Sequence, residues 1–240
     1  MTLASSLRMA PVQASGRARI KAIAFDAFPI FDMRPIQALA ETCFPGHGTS
    51  LGNMWRSRQF EYQWLRALCG NYADFWKTTE DSLVFACAAL GLELSSEVRK
   101  QLMGAFLALK AWPDVPAVLD TLKQAGIRLA LLSNMTNNML ASNIKSAGLN
   151  GVFDHVLSSD SIRRYKPDPR VYQLSMETMQ LKREEILFAA FAGWDAAGAK
   201  TFGYPTFWVN RLQAPREELG VDADATGKDL GELLSFVRQR

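Results

Sequence analysis

The chain has 240 residues, of which 48% are hydrophobic and 21% are charged, and its formal net charge is +3. This composition is typical of a globular protein with one large or two modest domains. Lysine and arginine alternate with acidic residues over most of the chain, so we expect no nucleic-acid partner. No apolar run approaches the length of about 18 residues that spans a bilayer, and we expect no membrane association.

The start of the chain and its cysteines bear on where the protein works. Residues 1–18 are rich in serine, alanine and glycine and lack an apolar segment of signal-peptide length. We expect a disordered tail there, or the relic of a lost leader. Cys43, Cys69 and Cys87 lie in apolar helical contexts, which predicts reduced core thiols and a cytoplasmic protein.

The first predicted strand ends on a single aspartate. Residues 20–28 form a short apolar run that contains Asp26 and predicts a strand buried on both faces. A carboxylate is costly there unless it has a task, and ligands of open α/β sheets lie beyond the carboxyl ends of the strands. Asp26 is therefore a candidate nucleophile, and the alternative is that it caps the next segment.

A long helical region follows this strand. Two prolines within residues 29–35 prevent a helix from running straight out of the strand. The spacing of apolar residues then predicts four helices in succession, over residues 36–43, 50–72, 74–90 and 95–110. Because this region contains no strand signal, we expect an inserted helical cap subdomain over residues 34–111.

After residue 112 the predicted strands and helices alternate. Strands are predicted over residues 127–132, 153–157, 186–190 and 206–209. Helices are predicted over residues 115–124, 136–147, 170–180, 196–202 and 228–238. Such alternation predicts an α/β fold with a doubly wound, Rossmann-like parallel sheet, built from residues 19–33 and 112–240.

Polar residues stand where the predicted strands end. Asp26 ends the first strand, Ser133 and Asn134 follow the second, and Asp195 follows the fourth, while Lys166 lies in a connecting loop. Because the carboxyl ends of parallel strands meet at one edge of a sheet, we expect these side chains to converge. Together they comprise a carboxylate nucleophile, a hydroxyl and amide pair, a cation and a second carboxylate.

These residues and their flanking sequences resemble the haloacid dehalogenase superfamily and, within it, the type II L-2-haloacid dehalogenases. The resemblance covers about residues 20–215 and is carried by Phe25-Asp26, residues 55–62, Leu132-Ser133-Asn134, residues 165–168, residues 194–199 and Phe202-Gly203. It implies cofactor-free hydrolysis of short-chain 2-haloalkanoic acids to 2-hydroxy acids and halide, through an ester on Asp26. It also implies a homodimer that associates through the helical subdomain.

The resemblance implies a role for each site residue. Asp26 is the nucleophile, Arg56 stabilises the departing halide, and Lys166 keeps Asp26 ionised and oriented. Asp195 positions Lys166 or the attacking water, and Tyr172 hydrogen-bonds near them. The remaining residues contact the substrate: Ser133 and Asn134 bind its carboxylate, and the apolar wall around C2 is formed by Phe28, Phe60, Phe75 and Trp194.

The residue types around Asp26 argue against a phosphatase. Superfamily phosphatases place a second aspartate two residues on, to protonate the leaving alcohol, whereas this chain has Phe28 there and halide leaves without a proton. Asp195 has no neighbouring acid, since Phe191 stands where another would be expected, and Mg²⁺ prefers several oxygen ligands. We therefore expect neither a metal nor another cofactor.

Two departures from the family pattern indicate a divergent branch. The loop over residues 26–32 is one residue shorter than usual and lacks the threonine that normally holds the nucleophile. The family's Ser-Ser-Asn-Ala-Trp-Asp is replaced by Ala-Phe-Ala-Gly-Trp-Asp over residues 190–195, which removes the serine hydroxyls and the asparagine amide. Each lost contact of this kind can cost ~10²–10³ in rate.

Other interpretations stay open at this point. Another superfamily hydrolase, acting on a different small acid or a phosphate, fits the departures, and so does a non-catalytic relative that binds a small carboxylate or a partner. Taken singly, Arg56 fits a solvated helix face, and Tyr172 fits a core residue with a satisfied hydroxyl. Asp195 fits a cap on a helix that begins at Ala196, and Lys166 fits a surface loop.

Overall fold

The computed structural model describes residues 19–240, in which the chain forms eight strands and nine α-helices. The strands are β1 (Ala22–Phe25), β2 (Phe31–Asp32), β3 (Lys110–Ala111), β4 (Arg128–Ser133), β5 (His155–Ser158), β6 (Ile186–Ala190), β7 (Thr206–Val209) and β8 (Ala225–Gly227). The helices are α1 (Arg34–Cys43), α2 (Gly48–Leu68), α3 (Phe75–Ala89), α4 (Ser96–Ala105), α5 (Val115–Gln124), α6 (Asn137–Ser146), α7 (Pro169–Met179), α8 (Gly193–Phe202) and α9 (Leu230–Arg238). The tail predicted over residues 1–18 lies outside the described residues.

Six of the strands form one parallel sheet, in the order β5-β4-β1-β6-β7-β8. β1 is central, and Phe25 at its end is level with Leu131 of β4 and Ala189 of β6. The residues that follow β1, β4 and β6 therefore emerge side by side at the carboxyl edge of the sheet. None of the helices that the structure describes has both the length and the hydropathy to cross a membrane.

Helices cover both faces of the sheet, which confirms the predicted doubly wound α/β fold. Ile23 and Phe25 pack in the layer with α5, α6 and α9, whereas Ala22 and Ala24 pack in the layer with α7 and α8. Successive strand residues point to opposite faces, so a strand that is covered on both sides must be apolar throughout. All four residues of β1 are buried, and the first polar side chain after them is Asp26.

A two-stranded ribbon brackets helices α1–α4. β2 pairs with β3 in antiparallel register, with Phe31 opposite Ala111, and the four helices lie between these strands in the chain. Neither strand is predicted from the sequence, because two residues are too few to show alternation of apolar and polar positions. The helix predicted to run to residue 110 ends at Ala105, since residues 110 and 111 are extended and pair with β2.

The start of α8 and the strand β8 also differ from the predictions. The prediction that α8 begins at residue 196 is wrong: it begins at Gly193, so Asp195 lies in its first turn and does not cap it. Ala192 occupies the N-cap position without a side-chain hydrogen bond, which explains why the sequence carries no start signal there. β8 is likewise unpredicted, because Ala-Thr-Gly at residues 225–227 contains no apolar run.

Gly198 allows α8 to lie close to the loop that carries Lys166. A Cβ atom at this position would be 2.6 Å from the Cβ of Pro167 and 2.6 Å from Oη of Tyr172. Both distances are far inside van der Waals contact, so a larger residue would push these groups apart. The close approach brings α7, which carries Tyr172, against α8, which carries Asp195.

Gly198→Ala is expected to destabilise the protein by about 1–3 kcal/mol, because the added methyl group overpacks the contact between α7 and α8. Gly104→Ala is the matched control, since Gly104 is also helical and an added Cβ would meet no atom within 4 Å. The free energy of unfolding of the control is expected to rise by up to about 1 kcal/mol, because alanine has a higher helix propensity than glycine. Urea unfolding of both variants measures the difference, and equal effects would show that the close approach imposes no constraint.

Candidate active site

Lys166 joins two buried carboxylates at the carboxyl edge of the sheet. Its Nζ lies 2.7 Å from Oδ1 of Asp26 and 2.5 Å from Oδ2 of Asp195. Asp26 follows β1, Lys166 lies in the loop between β5 and α7, and Asp195 lies in the first turn of α8. All three side chains are at least nine-tenths buried. Charges buried to this extent are tolerated only when they are paired, so each carboxylate depends on Lys166 and Lys166 depends on both of them.

Burial and charge act in opposite directions on the pKa values of this cluster. Burial alone lowers the pKa of Lys166, but the charges of Asp195 and Asp26 outweigh it, and the net pKa is raised. Burial raises the pKa of Asp195 and outweighs the opposing effect of the Lys166 ammonium. Lys166 therefore stays charged, while Asp195 is a stronger base than an exposed aspartate.

Tyr172 holds Asp195 from the other side. Its Oη donates to Oδ1 of Asp195 at 2.7 Å, and the whole side chain is buried. Burial beside Asp195 raises the pKa of Tyr172 well above its ordinary value, so the phenol stays protonated and acts as a donor. One donor thus binds each oxygen of Asp195, which keeps this carboxylate in one orientation.

Asp26 has one firmly held oxygen and one lightly held oxygen. Oδ1 accepts from Lys166, whereas Oδ2 accepts a long bond of 3.3 Å from the backbone N–H of Phe28. Ala190 and Ala192 stand where the family pattern has donors, and their methyl groups offer none. Oδ2 is therefore the oxygen that is free to react.

Asn134 is held by two hydrogen bonds within the protein and also faces the space beside Asp26. Its Nδ2 donates to Oε1 of Gln63 at 2.8 Å, and its Oδ1 accepts from the backbone N–H of Lys166 at 2.9 Å. Oγ of Ser133 accepts from the N–H of Met135 at 3.1 Å, which leaves the hydrogen of this hydroxyl available to donate. Both residues of the predicted carboxylate-binding pair therefore keep a free donor, because the amide of Asn134 has a second N–H, and of the two only Asn134 lines the small cavity at Asp26.

A small cavity of about 20 Å³ lies against Asp26, which is room for about one water molecule. Of the residues predicted to form an apolar wall, Phe28, Phe60 and Trp194 line this cavity and Phe75 does not. Phe75 begins α3 and is buried in the main hydrophobic core. The indole N–H of Trp194 is buried and has no hydrogen-bond partner among the described residues.

Arg56 is a partly buried cation without a partner in the part of the chain that the structure describes. Its guanidinium carbon lies 5.2 Å from the ring centre of Phe191 and 5.7 Å from that of Phe60. Burial lowers the pKa of Arg56, and the charge of Asp26 opposes that shift. Arg56 lines a second pocket, of about 150 Å³, and not the small cavity beside Asp26. A guanidinium with free donors can bind an anion.

Helix α2 covers the site with two residues that belong to no motif recognised in the sequence. Gln63 accepts from Asn134, and the indole N–H of Trp64 donates to the backbone oxygen of Lys166 at 3.1 Å. Gln63 lies seven residues after Arg56, and that spacing places both on one face of a helix, which was a usable signal. The partners of Gln63 and Trp64, however, lie far away in the chain, so no local pattern identifies those partners.

The described residues contain no group of three or more histidine, cysteine, aspartate or glutamate side chains that could hold a metal ion. Asp26 and Asp195 each direct an oxygen at Nζ of Lys166. The ammonium of Lys166 thus lies between the two carboxylates, and Asp26 and Asp195 are the acidic residues that line the small cavity, whereas Mg²⁺ prefers several oxygen ligands.

Lys166→Met is expected to destabilise the protein by about 3–5 kcal/mol at pH 7, because it leaves two buried carboxylates without a cation. Repulsion raises the pKa of the pair in the folded variant above its unfolded value, so the folded state binds more protons. The lost stability is then recovered as the pH falls through the raised folded pKa, towards the unfolded value of about 3.9.

Lys200→Met is the control for this prediction, since Lys200 and Asp224 form a partly exposed ion pair. Such a pair contributes at most about 1 kcal/mol to the free energy of unfolding. Urea unfolding at pH 7 and pH 5 measures both variants. A similar loss in the two variants, or a loss that does not shrink at pH 5, would contradict the assigned role of the cluster.

The geometry of this site can be set beside known proteins. The family model of the haloacid dehalogenase-like hydrolases matches residues 13–203. An (S)-2-haloacid dehalogenase from Pseudomonas sp. (strain YL) is 42% identical over 206 residues, which cover 85% of this chain and 89% of the relative.

Solved structures agree with these relatives. A crystal structure of an L-2-haloacid dehalogenase is 42% identical with a TM-score of 0.90, and the match covers 92% of this chain and 100% of that chain. The L-2-haloacid dehalogenase from Xanthobacter autotrophicus, with chloropropionic acid covalently bound, is 35% identical with a TM-score of 0.84, over 91% of this chain and 98% of that chain. With a family model that spans most of its length and relatives this similar, the chain belongs to the haloacid dehalogenase-like hydrolases.

Proposed function

We propose that this protein hydrolyses short-chain 2-haloalkanoic acids to 2-hydroxy acids and halide, through an ester on Asp26. The observation that carries the proposal is the Lys166 ammonium shared by Asp26 and Asp195, which leaves one oxygen of Asp26 free at a small cavity. Relatives named (S)-2-haloacid dehalogenase support this reaction, as does the solved relative with chloropropionic acid covalently bound.

In the first step, Oδ2 of Asp26 attacks C2 of the substrate. The O–C2 bond forms as the carbon–halogen bond breaks, and both electrons of that bond leave with the halide. Lys166 holds Oδ1 and so keeps the carboxylate in one orientation. Halide departs without a proton, which agrees with the presence of Phe28, and not an acid, two residues after the nucleophile.

In the second step, water attacks Cγ of the Asp26 ester. Asp195 takes one proton from the water, and its raised pKa favours that transfer. Lys166 and the backbone N–H of Phe28 stabilise the negative charge that develops on the Asp26 oxygens. The bond from Cγ to the ester oxygen then breaks, Asp195 returns its proton to the departing 2-hydroxy acid, and the second proton of the water passes to solvent.

The anionic groups of the substrate are assigned to donors that the protein leaves unpaired. Arg56 stabilises the departing halide, because its guanidinium lies beside the cavity wall at Phe60 and Phe191 without another anion. The hydroxyl of Ser133 donates to the substrate carboxylate. Asn134, which the resemblance assigns to the same carboxylate, donates to it with its second amide N–H, while its Oδ1 positions the backbone of Lys166.

A phosphatase finds less support in the same residues. Phosphate transfer by this family needs an acid for the leaving alcohol and further acids that hold a divalent cation, and this chain has Phe28 and Phe191 at the corresponding places. A non-catalytic role also finds less support, because a binding site gains nothing from a cluster of three buried ions.

We also propose the division of the chain that the sequence predicts. Residues 34–111 form a cap over a core of residues 19–33 and 112–240, and the paired strands β2 and β3 connect the two. The contacts of α2 with Asn134 and Lys166 support a cap that closes the site. Three free cysteines support a cytoplasmic enzyme.

The decisive test is halide release, in the presence of EDTA, from chloroacetate and from each enantiomer of 2-chloropropionate. Wild type is expected to turn over without metal, and Asp26→Asn is expected to lose at least ~10³ in kcat, because an amide is a poor nucleophile. Asp222→Asn is the control, since Asp222 is an exposed carboxylate in a surface ion pair, and it should match wild type.

Two results would overturn the proposal. The first is turnover that survives Asp26→Asn, which would exclude the ester. The second is an absence of halide from every substrate together with phosphate-ester hydrolysis that requires Mg²⁺.

We propose, further, a homodimer that associates through α2 and α3. Leu65 and Leu68 on α2 and Val84 and Phe85 on α3 are large apolar residues with 37–84% of their surface exposed. The rings of Tyr62 on α2 and Phe85 on α3 lie 6.1 Å apart, so the two helices are in contact beside these exposed residues. An exposed apolar surface of this kind is typical of an interface between subunits.

Light scattering tests this assembly. Wild type is expected at about twice the chain mass of 26.7 kDa, and a variant with both Leu65→Asp and Leu68→Asp is expected at the monomer mass, because buried charges oppose association. Leu219→Asp is the control, since Leu219 is equally apolar and exposed but lies outside α2 and α3. A monomeric wild type, or a double variant that stays dimeric, would contradict the proposal.

A further inference from the structure

We infer that the ring of Phe191 restricts this enzyme to the smallest 2-haloacids, by separating the cavity at Asp26 from a larger apolar pocket. The inference rests on the proposed dehalogenation. The cavity of about 20 Å³ contains the nucleophile, and the pocket of about 150 Å³ lies between α1, α2 and the core. Among the described residues, Phe191 alone lines both spaces.

The ring of Phe191 is a packed wall. Its ring centre lies 5.7 Å from that of Phe28 and 5.2 Å from the guanidinium carbon of Arg56. Its backbone oxygen accepts from the indole N–H of Trp208 at 2.9 Å, and only 6% of the residue is exposed. Because contacts hold both its backbone and its ring, Phe191 is a fixed boundary between the two spaces.

The two volumes decide which substituents at C2 can be accommodated. The cavity at Asp26 holds about one water molecule, so even chloroacetate enters only when its walls shift, and each further carbon at C2 requires a larger shift. A space of about 150 Å³ can hold a molecule the size of benzene. Its walls include Ile36, Trp55 and Trp112, which suit an alkyl chain. A longer substituent would reach that pocket only through the position of the Phe191 ring.

The family pattern places a serine at position 191, so the ring adds volume where relatives of that pattern have a small side chain. Removing it would join the two spaces and provide a continuous path from Asp26 to the apolar pocket. Phe191 is therefore a specificity-determining residue, and the substrates that it excludes are 2-haloacids with four or more carbons.

The experiment compares kcat/KM for chloroacetate, 2-chloropropionate, 2-chlorobutanoate and 2-chlorohexanoate in wild type and in Phe191→Ala. In wild type, kcat/KM is expected to fall at least ~100-fold from 2-chloropropionate to 2-chlorohexanoate, and in Phe191→Ala by less than ~10-fold. Leu212→Ala is the control, because Leu212 is half exposed and lines the large pocket but not the cavity at Asp26. This substitution should leave the dependence of kcat/KM on chain length as in wild type. Equal dependence in wild type and Phe191→Ala would overturn the inference.

A binding measurement separates this inference from the proposed reaction. In the Asp26→Asn background, thermal unfolding is recorded with propionate and with hexanoate, which cannot react. Hexanoate is expected to raise the Tm more than propionate after Phe191→Ala, and not before it. If neither wild type nor Phe191→Ala releases halide but this binding pattern appears, the inference on Phe191 is supported and the proposed dehalogenation is contradicted. If wild type releases halide from short acids but hexanoate binds equally with and without Phe191, the inference fails alone.

Discussion

The ion cluster of Asp26, Lys166 and Asp195 is the interaction on which the rest of the structure depends. An ammonium withdrawn from water costs several kcal/mol unless carboxylates replace its hydration. The two carboxylates follow neighbouring strands, β1 and β6, and the lysine comes from the loop after β5, so the cluster forms only in a sheet with this strand order. The packing of α7 against α8 then places Tyr172 on Asp195. The strand order of the sheet and the packing of its helices therefore fix the geometry of the site.

Much of the fold and part of the site could be predicted from the sequence. The ranges predicted for α5, β6 and β7 agree with the structure, because each is an apolar run bounded by residues that end strands or helices. Asp26, Lys166 and Asp195 were expected to converge because parallel strands end at one edge. The bonds from α2 to Asn134 and Lys166, and the placement of the Phe191 ring, depend on packing between distant segments, which no local pattern encodes.

The departures from the family pattern change the environment of the nucleophile. Where that pattern has polar side chains, this chain has Ala190 and Ala192, and the ring of Phe191 lies between Phe28 and Arg56. The wall around Asp26 is therefore more apolar, and in such surroundings the attraction between Lys166 and the carboxylates is stronger than in a hydrated site. Fewer donors thus act on Asp26, but the one strong donor acts with greater effect.

The small volume beside Asp26 also bears on the order of events in a catalytic cycle. The space accommodates about one water molecule, with Phe28, Phe60 and Trp194 around it. A 2-haloacid is several times larger than a water molecule, so these walls must move apart before C2 can reach Asp26. Phe60 lies on α2, and Gln63 and Trp64 of the same helix bond to Asn134 and to the backbone of Lys166. Movement of α2 away from the core therefore precedes the first bond change, and its return separates the ester from bulk water.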